Sequence, residues 1–195
     1  MRAPLDRYDT PAWAVKLLLR RVPELRGRRL FDPCCGDGTM ARAISHRRFD
    51  EVLTNDIDVR TPAALHWDLR RQALWEMAAV QCSIGKLRVA PDWCVTNPPF
   101  ELTGDVLRLA LMHCKGVALL LRLSALEVCK GRELLQLYPP SRQIVLPRIR
   151  FRGRRTDSVT TAWFLWPPVG VTLSGPPILC VGKPSVHGLA ERSAA

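Results

Sequence analysis

The sequence predicts an α/β fold: a mostly parallel seven-stranded sheet with helices on both faces and an antiparallel hairpin near its carboxyl end. Three observations carry that expectation. Short apolar runs alternate with helix-like stretches, as in consecutive βα units. A Gly36-Asp37-Gly38 turn separates the first apolar run from a helical stretch. Gly116-Val117-Ala118-Leu119-Leu120-Leu121 is apolar without alternation, as a central parallel strand covered on both faces must be.

The elements follow in order. Thr10 caps a helix with Pro11 in its first turn, and Ala14, Leu17 and Leu18 recur at helical spacing until Pro23 stops it. Residues 28–31 form the first strand, 38–47 a helix and 51–55 a second strand. A short strand over 64–67, a helix over 69–80 and a strand over 92–96 come next. A helix over 103–114 leads into the apolar strand 116–121, and residues 125–137 are helical until Pro139-Pro140. Residues 143–151 and 159–166 pair as the hairpin. Residues 1–168 make one domain; 169–195 are a Pro/Gly-rich extension with one short irregular strand, 177–181, and a loose tail.

Composition narrows the class. A chain of 195 residues, 47% of them hydrophobic, can bury one substantial core and has little room for a second. The seven cysteines are odd in number, Cys34 and Cys35 are adjacent, and no Cys or His spacing suits a metal. Reduced thiols in a cytoplasmic setting, and no metal, are therefore expected. Pro4, Asp6, Arg7 and Asp9 interrupt any signal-like apolar run, and the apolar strand is too short to span a bilayer, so a soluble protein is expected. Lys and Arg total 29 against 18 Asp and Glu, a net charge of +11. That excess points to a polyanionic partner, nucleic acid first, against the plainer reading of a basic soluble surface.

Four segments carry chemistry. In Asp32-Pro33-Cys34-Cys35-Gly36-Asp37-Gly38 the glycines can take positive φ and bring backbone N–H groups close to a ligand, while Asp32 can accept from a cationic ammonium. By themselves they also suit an ordinary tight βα turn. Asp56 ends the second strand about 20 residues further on, the spacing at which nucleotide-binding α/β folds place a carboxylate on ribose hydroxyls. Asp58 competes for that role or is a solvated loop acid. Asp68 either accepts from an adenine amine or caps the helix that follows. Asn97-Pro98-Pro99-Phe100 ends a strand. Proline rigidity holds the Asn97 and Pro98 acceptors beside a flat ring, the groups needed to grip a planar nucleobase amine, although two prolines also simply stop a strand.

A fifth feature is basic. In residues 147–155 arginine alternates with apolar residues, so an extended backbone puts Arg148, Arg150 and Arg152 on one face and Ile149 and Phe151 towards the core. With Arg154 and Arg155 in the following turn, this ladder suits a phosphate track or a solvated strand face, and Asp157 can pair with one of its arginines. The turn falls on the sheet edge that also carries the glycine loop and Asn97. Trp163 and Trp166 can stack on a base or belong to the core, and their apolar strand favours the core.

Taken in order, the glycine segment, Asp56, Asp68 and Asn97-Pro98-Pro99-Phe100 resemble the motif set of class I S-adenosylmethionine-dependent amino-methyltransferases, the adenine-N6 group in particular. Tyr8-Asp9-Thr10-Pro11 is similar to the threonine-proline segment that touches the methionine part of the cofactor in those enzymes. The likeness covers residues 8 to about 100 by motif, and 148–166 is more loosely similar to the terminal hairpin of small phage or prophage members. It implies a Rossmann-like class I methyltransferase fold with S-adenosyl-L-methionine held by Tyr8, Thr10, Asp32, Pro33, Cys34, Gly36, Gly38, Asp56, Ile57 and Asp68. It also implies methyl transfer to adenine N6 in DNA at Asn97, Pro98, Pro99 and Phe100, with proton loss after transfer. A duplex base would have to be flipped out to stack on Phe100.

A separate target-recognition domain is not expected, for want of room, so low or short sequence specificity, set by loops such as 101–105 and 152–158, is expected. Three alternatives share the motifs. RNA adenine-N6 methylation uses the same tetrapeptide. Protein glutamine methylation usually has Tyr where this chain has Phe100, and the arginine ladder argues against it. A nucleic-acid-binding module could keep the fold without turnover.

Overall fold

Strand residues alternate between two apolar layers, and that alternation builds the molecule. Leu30, Trp93, Val95, Ala118, Leu120, Trp163 and Leu165 join one buried cluster with the residues of two amino-terminal helices. Phe31, Cys94, Val117, Leu119, Leu121, Phe164 and Trp166 join the other, against helices from the middle of the chain. The period of two along each strand thus divides one sheet between two helical layers.

The structure is a computed structural model that describes residues 9–26, 28–45, 51–81, 90–126, 132–149 and 160–182. Its strands are β1 (Arg29–Asp32), β2 (Glu51–Thr54), β3 (Trp93–Thr96), β4 (Gly116–Arg122), β5 (Arg142–Val145), β6 (Thr161–Trp166) and β7 (Ile178–Cys180). Its α-helices are α1 (Ala12–Arg21), α2 (Thr39–Ser45), α3 (Gln72–Gln81), α4 (Thr103–His113) and α5 (Arg132–Leu137). The seven-stranded sheet runs β2-β1-β3-β4-β6-β5-β7. β6 is antiparallel to both neighbours, and the remaining pairs are parallel. The chain turns to opposite sides of β1, so a crevice lies at the carboxyl ends of β1, β2 and β3.

The far edge is clamped. Asp92, just before β3, accepts from the Arg29 backbone N–H and from its guanidinium at 3.0 Å, and from Lys115 Nζ at 2.8 Å. Burial pushes the Asp92 carboxyl up, but the Arg29 and Lys115 hydrogen bonds outweigh it and hold the group well below the usual carboxylate range. Arg142, at the start of β5, is buried and donates to the carbonyls of Arg21 and Ser174, which ties the segment after Pro168 to the end of α1.

Several boundaries differ from the sequence expectation. Pro11, not Thr10, occupies the helix cap position of α1, and no side chain caps it. α3 begins at Gln72 because Asp68 and Arg70 form a turn first, so Asp68 is not its cap. The strand expected over 64–67 is a single parallel bridge between Asn55 and Leu65. The sheet still has seven strands because Ile178–Cys180, in the extension, pairs with β5. β5 ends at Val145, short of the expected 151. Trp163 is fully buried with Nε1 donating to the Ala14 carbonyl, and Trp166 Nε1 donates to that of Tyr138, so both are core residues. No helix among the described residues is long and apolar enough to cross a membrane.

Candidate active site

The first strand delivers Asp32 into a sealed position. Its side chain is 1% exposed, and Oδ1 accepts from Thr96 Oγ1 at 2.7 Å and from the Cys34 backbone N–H at 3.2 Å. Oδ2 is buried without a hydrogen-bond partner. Burial raises the Asp32 pKa to about 7; the Thr96 and Cys34 bonds oppose that shift, and the nearby Asp56 carboxylate adds to it. A buried carboxyl with one idle oxygen is suited to a cationic ligand group.

Beyond Asp32 the chain turns through Gly36 at φ 56° and Gly38 at φ 76°, backbone that other residues rarely adopt. A Cβ on Gly38 would lie 3.0 Å from both Pro62 Cγ and Arg42 Nη1. The loop is held by acids on either side. Asp56 Oδ2 accepts from Gly36 N at 2.8 Å, and Asp9 Oδ1 accepts from Asp37 N at 3.2 Å. Arg42 reaches back to the Asp37 carbonyl at 2.6 Å and to Thr39 Oγ1 at 3.0 Å. Burial first, and then the Asp32 and Asp56 carboxylates, push the Cys34 thiol well above its ordinary value, so it is no thiolate nucleophile. Among the described residues no group of His, Cys, Asp and Glu could hold a metal ion.

Asn55 joins the two halves of the crevice. Fully buried, it donates from Nδ2 to the Pro33 and Trp67 carbonyls, both at 3.0 Å, and accepts on Oδ1 from Trp67 N at 2.9 Å. Its backbone pairs with Asp32 O and Cys35 N. It thereby sets the height of Asp56, whose carboxylate reaches both Gly36 N and Asp58 N. Ile57 follows, 55% exposed beside that carboxylate. Asp58 is engaged by the Arg60 guanidinium at 2.8 Å and 2.9 Å and shapes the turn. Asp68 is likewise engaged by Arg70, and that hydrogen bonding brings its pKa to about 2.

β3 lies next to β1 and carries Asn97-Pro98-Pro99-Phe100 out of the same edge. Asn97 is half-buried, Pro98 buried, and Pro99 and Phe100 half-buried. A single 3₁₀ turn, Phe100–Leu102, links the tetrapeptide to α4. The Arg122 guanidinium, from the end of β4, sits over the Phe100 ring at 3.9 Å from its centroid.

The structure brings Thr10, Asp32, Pro33, Cys34, Gly36, Gly38, Asp56, Ile57, Asn97, Pro98, Pro99 and Phe100 to one sheet edge. Tyr8 and Arg150, Arg152, Arg154 and Arg155 lie outside the described residues. Arg148 is exposed beyond β5, and Ile149 beside it is buried in the core, as the alternation there implies. Sequence reasoning passed over Thr96, Asn55, Asp9 and Arg122. Thr96 had a visible signal, a hydroxyl inside an otherwise apolar strand end immediately before Asn97. The others depend on distant partners.

Neither a protein-family model nor a curated protein sequence matches the chain. Solved structures share its fold. One, of a Pyrococcus horikoshii protein proposed to be an RNA methyltransferase, is 13% identical, with a TM-score of 0.60 over 87% of this chain and 92% of that one. Another, of a Listeria monocytogenes protein proposed to be a class I S-adenosylmethionine-dependent methyltransferase, is 15% identical, with a TM-score of 0.57 over 88% and 64%. A type I restriction-modification methyltransferase subunit from Streptococcus thermophilus is 13% identical, with a TM-score of 0.56 over 83% of this chain and 45% of its own, so this chain spans less than half of it. The fold is that of class I methyltransferases.

Proposed function

We propose that the protein is an S-adenosylmethionine-dependent methyltransferase acting on the exocyclic N6 amine of adenine in DNA, with low or short sequence specificity. One observation carries the reading: Thr96, the residue before Asn97, donates to Asp32 at 2.7 Å, which locks the base-gripping tetrapeptide to the head of the glycine loop. The residues fit the cofactor. The idle Asp32 Oδ2 suits its ammonium, Asp56 its ribose, the glycine turn close backbone approach, and the exposed Ile57 an apolar ring.

S-adenosylmethionine, when bound, supplies an electrophilic methyl group. Asn97 Oδ1 and the Pro98 carbonyl accept from the adenine amine, draw its lone pair out of conjugation and aim it. Phe100 stacks on the base and holds its plane. None of these groups is a base at neutral pH, so the chain contributes orientation and stabilisation of positive charge developing on nitrogen, and the proton leaves after transfer.

A second reading, RNA as substrate, has support of its own: the solved structure that this chain covers to 92% is of a protein proposed to be an RNA methyltransferase. One experiment separates the two. Labelled cofactor is incubated with unmethylated genomic DNA, total RNA, or both in competition, and the products are digested to nucleosides. N6-methyldeoxyadenosine is expected, with Asn97→Ala lowering kcat by roughly 10²–10³-fold and leaving cofactor affinity unchanged. Label in RNA adenine alone moves the substrate to RNA. No label in either defeats the proposal.

A further inference from the structure

We propose that Arg122 is a positioning residue that sets the plane of the Phe100 ring and, through it, of the target base; this rests on the methyl-transfer reading above. Proline rigidity fixes the Asn97 and Pro98 acceptors, but a phenylalanine ring still turns about its two side-chain torsions. The Arg122 guanidinium, 3.9 Å from the ring centroid, restrains that turning by attraction to the π face.

Its own placement is firm. Arg122 ends β4, pairs across the sheet with Thr161 of β6, and is followed by a Leu123 N–H that bonds to the Thr160 carbonyl at 3.0 Å. The backbone that carries the cation is therefore held by the sheet, while the ring the cation faces belongs to the loop. One consequence follows. The cation draws electron density from the ring, which favours a neutral electron-rich purine over a positively charged base.

The test compares wild type, Arg122→Met, Arg122→Lys, Phe100→Ala and the double variant Arg122→Met/Phe100→Ala. Methyl transfer is followed on whichever nucleic acid the wild type labels. Arg122→Met keeps length without charge; Arg122→Lys keeps charge without the plane, and stands in if the methionine variant unfolds. For Arg122→Met kcat is expected to fall about 10-fold while KM for nucleic acid changes less than about threefold. Cofactor affinity by calorimetry stays at the wild-type value, the lysine variant is intermediate, and the double variant is no slower than Phe100→Ala alone. Losses that multiply in the double variant, a loss confined to KM with reduced salt dependence, or an unchanged kcat would each overturn the assignment. Wild-type protein that labels neither DNA nor RNA defeats the underlying reading instead, a result visible before any Arg122 variant is made.

Discussion

With its carboxyl sealed beside Thr96 and Cys34, Asp32 keeps a proton in the folded protein up to a pH of about 7, far above its release in an unfolded chain. The folded-state pKa lies above the unfolded value, so the folded state binds the proton more tightly. The stabilisation is complete below about pH 4 and is lost as pH rises towards 7. Asp32→Asn, neutral at every pH, is therefore expected to raise cofactor-free stability at pH 8 by about 1–2 kcal/mol, a few degrees in Tm, with little gain at pH 4.5. Thermal melts at the two pH values check this, and equal gains at both would refute it. Cofactor affinity should move oppositely: lost in the variant, and in the wild type weakening below pH 7 as Asp32 takes up a proton. On the proposed reading, the ammonium of the ligand would bring the positive charge that the empty site lacks.

β3 and β4 carry the tetrapeptide and the residue behind its ring at their carboxyl ends, while their amino ends pack closely together and against Pro168. Gly116, which opens β4, permits it: a Cβ there would lie 2.8 Å from the Trp93 ring and 2.8 Å from Pro168 Cδ. Gly116→Ala is expected to destabilise the protein by about 1–3 kcal/mol in denaturant unfolding, while the methyl-transfer rate of the folded fraction stays at wild type. At this scale the sequence was legible where one physical rule dominated. Unbroken apolar runs marked β4 and β6, and the turn glycines marked the start of α2. It failed where local polar bonds competed with periodicity. The Asp68 turn with Arg70 delays α3, and the Asn55 side chain takes the Trp67 backbone that a further strand would have used. The Asn55–Trp67 bond and the Arg122–Phe100 contact join residues whose nearness is created by the fold, which is why Asn55 and Arg122 went unread.

The whole molecule carries a net charge of +11, and Arg148 is exposed where the chain leaves β5 on the edge that holds Asn97. If residues 148–155 track phosphates, the affinity for single-stranded DNA falls with salt, and Arg148→Gln is expected to reduce the log–log slope by about 0.7. An unchanged slope in a fluorescence-anisotropy titration would remove Arg148 from that track. Topology at this scale was readable from the order of the elements, because parallel βα units leave few ways to wind a sheet. The short strand over 177–181 was expected, but its place beside β5 was not, since a three-residue strand among prolines has no register to read. Yet that strand finishes the sheet. It is short, solvent-facing and preceded by Pro176 and Pro177, which have no N–H to offer, while residues 64 and 65 bond across the end of β2 on the opposite rim. Among the described residues neither border gives another molecule a long ladder to zip onto, so concentrated solutions should resist the strand-on-strand stacking that begins amyloid.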